Sequence, residues 1–309
     1  MRVGIDVRPL QLDAYKNRGI GYHLRGWIEA AQSLETNLNF SLLFDQSLPI
    51  PSLNLTSERW KLQPLALPFF RYDSNPTLLH FDKDKEFIFD SALEAFLLEQ
   101  QIDLLHTTYH FMWEAFVSRR LHSVNGIVTV YDLIPLIFHR EYLDPLGEQA
   151  RFSFAQRLGA SVYAQRVQTV SQSSKQDLIG FTGVAPDKID VVYSGVGEHF
   201  IPIPKSEAKN VVAKLGISTP YILSISGFHH TKNLRRLLEA YSLLPNSLRK
   251  IYNMVIICPL SYEARVTVQG WLHNLEIQER VIFLQDVEWQ YMVALYNAAT
   301  ILLLSLIHI

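Results

Sequence analysis

The sequence predicts an α/β protein built from two doubly wound parallel sheets, and three observations carry that expectation. Short apolar runs, such as the uncharged Tyr221–Ser226 and Ile127–Leu133, which ends in Tyr131-Asp132-Leu133, read as buried strands. After such a run the apolar spacing switches to a helical one, as where Leu234, Leu237, Leu238, Tyr241 and Leu244 share a face. The alternation then recurs with room for a crossover helix between strands, which is how a parallel sheet reads.

Composition bounds the classes. A chain of 309 residues suggests about two domains. With 48% hydrophobic and 19% charged residues it can bury a core. A formal net charge of -2 argues against a nucleic-acid footprint and leaves room for a local basic patch touching membrane. Cys258 is the single cysteine, so no intrachain disulfide forms and a reducing, cytoplasmic setting is expected. The opening MRVGIDVRPL does not read as a signal peptide, and no apolar run reaches the roughly 18 residues of a membrane span.

Taken in order, Arg2–Val7 is a first strand, followed by the glycine loop YKNRGIG. A helix then puts Ile20, Leu24, Trp27, Ile28, Ala31 and Leu34 on one face. Phe40–Phe44 is a second strand. Pro49–Asp82, rich in proline and aromatics, shows no period and reads as irregular. Ser91–Gln100 is helical, and Ile102–Thr107 and Ile127–Leu133 are strands. Gly147–Ala164 is a helix and Val167–Ser171 a strand, with Ser174 and Asp177 spaced as a capping box for the next helix. Gly195 and Gly197 mark a hinge and Ile201–Ser206 a linker, which divides the chain into domains 1–198 and 199–309. The second domain alternates strand Tyr221–Ser226, helix Asn233–Leu244, strand Met254–Cys258, helix Tyr262–Leu275, strand Val281–Leu284, helix Trp289–Ala299 and strand Ile301–Leu304.

The turn Gly227-Phe-His-His-Thr-Lys-Asn is the first candidate site. A strand that turns through glycine into a helix presents unpaired N–H groups and the positive end of the helix dipole, which suits phosphate. Lys232, expected in the first helical turn, adds a mobile charge. The loop with Gly19 and Gly21 repeats the arrangement in the first domain, although a tight turn alone would also need such glycines. Its spacing is not the dinucleotide fingerprint. His106 and His110 lie at a strand end where ligands sit, although a histidine there is more often structural. Asp132 either meets a ligand or caps backbone N–H groups.

These stretches resemble the retaining glycosyltransferases of family 4, which have the GT-B fold. SGFHHTKNL is similar to their G-G-x-x-x-R-K-N-L turn, with Lys232 on the phosphate lysine and Thr231 where arginine is usual. GIDVRPL…GIGYHL resembles G-I-D-x-R-P-L…G-I-G-R-Y. IVTVYDLIPL resembles V-T-V-H-D-L-I-P-L, with Tyr131 in place of histidine. IDLLHT, VSQSSKQDL and DKIDVVYSGVGEHF resemble further motifs.

The resemblance implies two Rossmann-like doubly wound domains facing a cleft. The phosphates of a nucleotide-diphosphate sugar would be held by Gly19, Gly21, Gly227, Thr231 and Lys232. Lys232 would stabilise the leaving group, and Tyr131 and Asp132 would lie near the transferred sugar. His106, His110 and His230 are further candidate contacts. The expected reaction moves a sugar, mannose among the candidates, to a glycan or lipid-linked acceptor in bacterial polysaccharide synthesis, with neither cofactor nor metal. A peripheral contact with the inner membrane face would suit such an acceptor.

The family continues P-S-x-x-E-G-F-G-L-P-x-x-E-A where this chain reads Ser305-Leu-Ile-His-Ile. The second domain is therefore expected to be incomplete and the chain as given inactive. Residues 304–309 match the translated end of a sequencing adapter; a genuine short paralogue is the alternative. A non-catalytic nucleotide- or partner-binding paralogue is the second function class. A nicotinamide oxidoreductase is disfavoured, since it would need the missing fingerprint.

Overall fold

The computed structural model describes residues 1–66, 83–112, 117–217 and 220–305, the side chains of 83–86 excepted. Residues 67–82 of the stretch expected to be irregular, and 306–309 at the end, lie outside the described residues. The chain divides into two compact units, Met1–Gly195 and Val196–Ile309.

Unit 1 contains β1 (Arg2–Asp6), α1 (Gly19–Gln32), β2 (Asn39–Asp45), β3 (Trp60–Leu65), α2 (Lys83–Glu99), β4 (Leu104–Thr107) and β5 (Asn125–Val130). It continues with the single turns α3 (Ile134–Ile137) and α4 (His139–Tyr142), then α5 (Glu148–Tyr163), β6 (Arg166–Thr169), α6 (Gln172–Thr182) and β7 (Ile189–Val191). The sheet order is β3-β2-β1-β4-β5-β6-β7. Its pairings are parallel, with Ile5 opposite Leu42 on one side and His106 on the other. Strand order therefore reverses between β1 and β4, which places the crevice of this sheet there.

Helices cover both faces because the central strands, β1 and β2 above all, are buried on both. Leu24 and Ile28 of α1 pack on Ile5, Leu42 and Trp60. Leu93 and Leu97 of α2 pack on Leu43 and Leu105. Phe154 and Leu158 of α5, with Leu178 of α6, close over Val128, Val130 and Val167. Each such side chain contributes roughly 1.5–3 kcal/mol on burial.

β3 lies inside the stretch expected to be irregular. It lacks a clear period because it sits at the end of the strand order, where Pro64 is tolerated. Trp60 anchors it by stacking on Phe40, with centroids 4.0 Å apart. The capping box expected at Ser174 and Asp177 is not what starts α6. The cap is Ser171, whose Oγ accepts from the Ser174 N–H at 3.0 Å, while Ser174 is buried within the helix.

Unit 2 contains α7 (Lys205–Ala213), β8 (Tyr221–Ile225), α8 (Leu234–Ser242), α9 (Asn246–Ile251), β9 (Asn253–Ile257), α10 (Tyr262–Asn274), β10 (Val281–Leu284), α11 (Trp289–Ala298) and β11 (Ile301–Leu302). The parallel sheet runs β10-β9-β8-β11, so order reverses between β8 and β11. One face is covered by α8 and α10 through Leu237, Leu238, Val268 and Leu272. The other is covered by α7 and α11 through Val212, Ala294 and Leu295. Two phenols pin helix to sheet: Tyr221 donates to the Leu295 carbonyl and Tyr241 to that of Tyr252, both at 2.8 Å. Cys258 follows β9, fully buried, with its thiol pushed up to about 11 by burial. β11 leaves Ile301 and Leu302 52% and 46% exposed.

The helix expected from Asn233 to Leu244 is shorter, and Lys232 is not in its first turn. His230–Lys232 form a separate 3-10 turn, and Asn233 adopts φ +52°, which interrupts the run before α8 begins. Asparagine tolerates that left-handed conformation better than most residues.

Two expectations follow from this packing. A Cβ on Gly21 would stand 2.3 Å from the Lys16 carbonyl oxygen and 2.6 Å from that of Tyr15, both rigid backbone atoms, whereas one on Gly19 meets nothing within 4 Å. Gly21→Ala should cost about 1–3 kcal/mol and Gly19→Ala should be neutral or mildly stabilising, as read by denaturant titration.

The second concerns pH. Burial pushes the His106 imidazole down to about 4 and that of His110 to about 3, so both stay neutral in the folded chain. Unfolded, each takes up a proton near the ordinary histidine value of about 6.5. The stability they contribute is complete above that value and is lost as pH falls toward the folded values, at up to ~1.4 kcal/mol per pH unit per ring. The melting temperature should drop between about pH 7 and about pH 5, and less steeply in His106→Gln, which keeps an amide for Thr129.

Candidate functional site

Two strand-end sites are built separately by the two units. In unit 2, β8 ends with the Ser226 N–H bonded to the Ile257 carbonyl at 3.0 Å, and the chain then leaves the sheet at Gly227. The first backbone bond of α8 runs from the Leu237 N–H to the Asn233 carbonyl. The N–H groups of Leu234, Arg235 and Arg236 therefore lack intrahelical acceptors. Ser305, just past β11, donates to the Asn233 carbonyl at 3.3 Å, so the turn borders the place where strand order reverses.

Lys232 is exposed, and among the described residues its ammonium has no hydrogen bond or ion pair. Its Cγ lies 3.5 Å from where a Cβ on Gly227 would stand, so its stem runs along the glycine. Thr231, by contrast, is buried, and His230 is exposed. The Ser224 and Ser226 hydroxyls are buried with no hydrogen-bond partner among the described residues. Donors that lack acceptors cost about 1–3 kcal/mol each, which an incoming oxyanion would relieve.

In unit 1, Gly19 opens α1, while the Gly21 N–H is engaged by the Tyr15 carbonyl at 3.2 Å. Gly21 thus provides close approach to the loop backbone. Beside it, Arg8 grips Asp6 in a buried fork of 2.9 and 2.7 Å, and Thr108 Oγ1 donates to the Asp6 carbonyl at 2.6 Å. His106 Nε2 and Thr129 Oγ1 are 2.8 Å apart. His110 is a core residue with no exposure to a ligand. Its Nδ1–H donates to the Thr129 carbonyl at 3.3 Å, and Nε2 faces the Ser161 hydroxyl at 3.4 Å.

Asp132 accepts from the Ile134 N–H at 3.0 Å and so caps the turn after β5. Tyr131 hydrogen-bonds His23 Nδ1 at 2.9 Å, and burial raises its phenol above the ordinary value. A phenol so placed is a hydrogen-bonding group rather than a base.

Two contributors were not read from the sequence. Ser174 pins the Tyr131 carbonyl with a 2.7 Å bond from its hydroxyl. His23 reaches the same residue from one turn into α1. A signal for His23 exists: it occupies the last position of the resembled G-I-G-R-Y pattern, where tyrosine is usual. Among the described residues no group of three or more His, Cys, Asp or Glu could hold a metal ion. No described helix is long and apolar enough to cross a membrane.

Comparison with known proteins bears on both units. The Glycosyltransferase Family 4 model matches residues 57–199, and the Glycosyl transferases group 1 model matches 208–308. The serotype-specific mannosyltransferase WbdA of Escherichia coli is 28% identical over 186 residues, 59% of this chain and 22% of WbdA. The O-antigen chain mannosyltransferase RfbU of Salmonella typhimurium is 26% identical over 175 residues, 57% of this chain and 44% of RfbU. The chain thus spans less than half the length of these relatives. Among solved structures, sucrose-phosphate synthase of Thermosynechococcus elongatus superposes with a TM-score of 0.64 at 15% identity, over 98% of this chain and 74% of that one. HepE of Anabaena, in complex with UDP and glucose, gives 0.64 at 12% identity, over 99% and 74%. At such identities the likeness is one of fold, and the fold is GT-B. With consecutive family models matched across both units, the chain belongs to the family 4, group 1 glycosyltransferases.

Proposed function

We propose that this chain carries the binding machinery of a retaining glycosyltransferase that moves a sugar from a nucleotide-diphosphate donor to a glycan or lipid-linked hydroxyl. The observation that carries the reading is the turn after β8. There an unpaired lysine, a helix start and an orphan serine hydroxyl follow one another along the chain beside the place where strand order reverses. That set of donors suits a diphosphate, and departure of this dianion is the main charge problem of the reaction. Lys232 supplies the mobile charge, with the N–H groups of Gly227 and the start of α8 around it. Family membership and the two mannosyltransferase relatives support a mannosyl donor and a surface polysaccharide acceptor.

Front-side attack fits the groups present. Tyr131 is held as a neutral phenol and Asp132 is engaged in capping, so each suits orientation of sugar hydroxyls better than covalent catalysis. Thr231, buried where a guanidinium would reach the phosphates, leaves more of the charge to Lys232.

Isothermal titration with guanosine and uridine diphosphates tests this. One of the two should bind, and Lys232→Ala should weaken it by about ten-fold or more, as loss of a charged hydrogen bond of about 1.5–3 kcal/mol requires. In a version that turns over, the same change should lower kcat by about 10²-fold. Equal binding by wild type and Lys232→Ala removes the lysine from the site. Diphosphate binding with no transfer of any sugar favours the non-catalytic reading.

A further inference from the structure

The pair His23 and Tyr131 is accounted for neither by the fold nor by the phosphate turn. Tyr131 Oη and His23 Nδ1 are 2.9 Å apart, and the rings meet edge-on at 84° with centroids separated by 5.2 Å. The direction of the bond follows from counting hydrogens. Burial raises the phenol and lowers the imidazole, so the phenol keeps its proton and the ring is neutral. Were the ring proton on Nδ1, the partly buried phenol O–H would have no acceptor among the described residues. Tyr131 therefore donates to Nδ1, which leaves the ring proton on Nε2. That N–H has no partner among the described residues, and the ring is only half-buried.

Three strand–helix turns fix this geometry. His23 comes from α1, Tyr131 directly follows β5, and its carbonyl is held by Ser174 of α6. Tyr109 lies edge-on to Tyr131 at 6.0 Å, and Tyr15 lies 5.1 Å from Tyr109. An uncharged, directed donor beside phenol rings suits a sugar, whose hydroxyl oxygens accept and whose C–H faces pack on aromatics. A phosphate would call for a cation, which the pair does not provide. The two residues are also exchanged relative to the resembled motifs, in which tyrosine stands at position 23 and histidine at position 131. The imidazole is kept but delivered from α1 instead of from the end of β5.

We propose that His23, held by Tyr131, hydrogen-bonds a sugar hydroxyl in unit 1 through its Nε2–H, and so helps to set which sugar is accepted. The proposal rests on the glycosyltransferase reading and adds to it a residue and a tautomer.

The test uses ¹⁵N spectra of the histidine rings, with GDP-mannose and methyl α-mannoside as separate probes. The His23 ring should show the Nε2–H tautomer at neutral pH and lose that preference in Tyr131→Phe. Its Nε2 resonance should move on adding sugar. His23→Phe should weaken sugar binding about ten-fold, and single His23→Tyr likewise. The double exchange, His23→Tyr with Tyr131→His, should recover most of the loss, which a merely structural role would not produce. A response to GDP-mannose beyond that to GDP assigns the contact to the donor sugar, and a response to the mannoside assigns it to the acceptor. An Nδ1–H tautomer, or unchanged sugar binding in His23→Phe, overturns the proposal. So does a wild type that binds GDP while neither sugar perturbs His23; the phosphate reading survives that result. If guanosine and uridine diphosphates both fail to bind, the proposed function falls, and this proposal with it.

Discussion

Parallel strands cannot be joined by tight hairpins, and this constraint decides where chemistry can occur in both units. Each connection has to cross a face of the sheet and return, in most cases as a helix, so the strand-to-helix turns share one edge. Where strand order reverses, between β1 and β4 and again between β8 and β11, adjacent crossovers go to opposite faces and a crevice opens. Asp6, His106 and Thr108 mark one such place; Ser226, Gly227 and Lys232 mark the other. Neither location needs a residue to be singled out in advance, because the topology alone puts these turns side by side.

The two edges then differ in electrostatic character. Unit 2 offers an uncompensated ammonium and a helix start, which select for negative charge. Unit 1 offers imidazoles kept neutral by burial, a phenol kept protonated, and a cationic guanidinium that Asp6 already grips in a fork. A surface of that second kind discriminates by the direction of its hydrogen bonds more than by charge. Under the proposed function, unit 2 would hold the anionic leaving group and unit 1 would read the hydroxyls of a neutral sugar.

The alternating pattern was legible because buried parallel strands are apolar on both faces, as Tyr221–Ile225 and Asn125–Val130 illustrate. β3 was not, since a strand at the end of the order carries Pro64, which otherwise signals a loop. The start of α8 was placed one residue early, and Lys232 was drawn into its first turn, because helical spacing extends through Asn233 and only its left-handed φ shows the break. The helix cap at Ser171 was hidden by two further serines close behind it. That Gly227 and Lys232 share the turn after β8 could be read from spacing and family pattern. His23 could not be read from periodicity, since its partner is more than a hundred residues away. Only the paired exchange of tyrosine and histidine in two separate motifs hints at it.

Cys258 offers a last consequence. Its sulfur lies wholly inside unit 2 at the end of β9, and its elevated thiol value leaves almost no thiolate at neutral pH. Alkylating reagents can reach it only when that unit opens. As the single sulfhydryl of the chain, it makes the rate of covalent labelling a direct clock for breathing of unit 2, with no engineered probe needed.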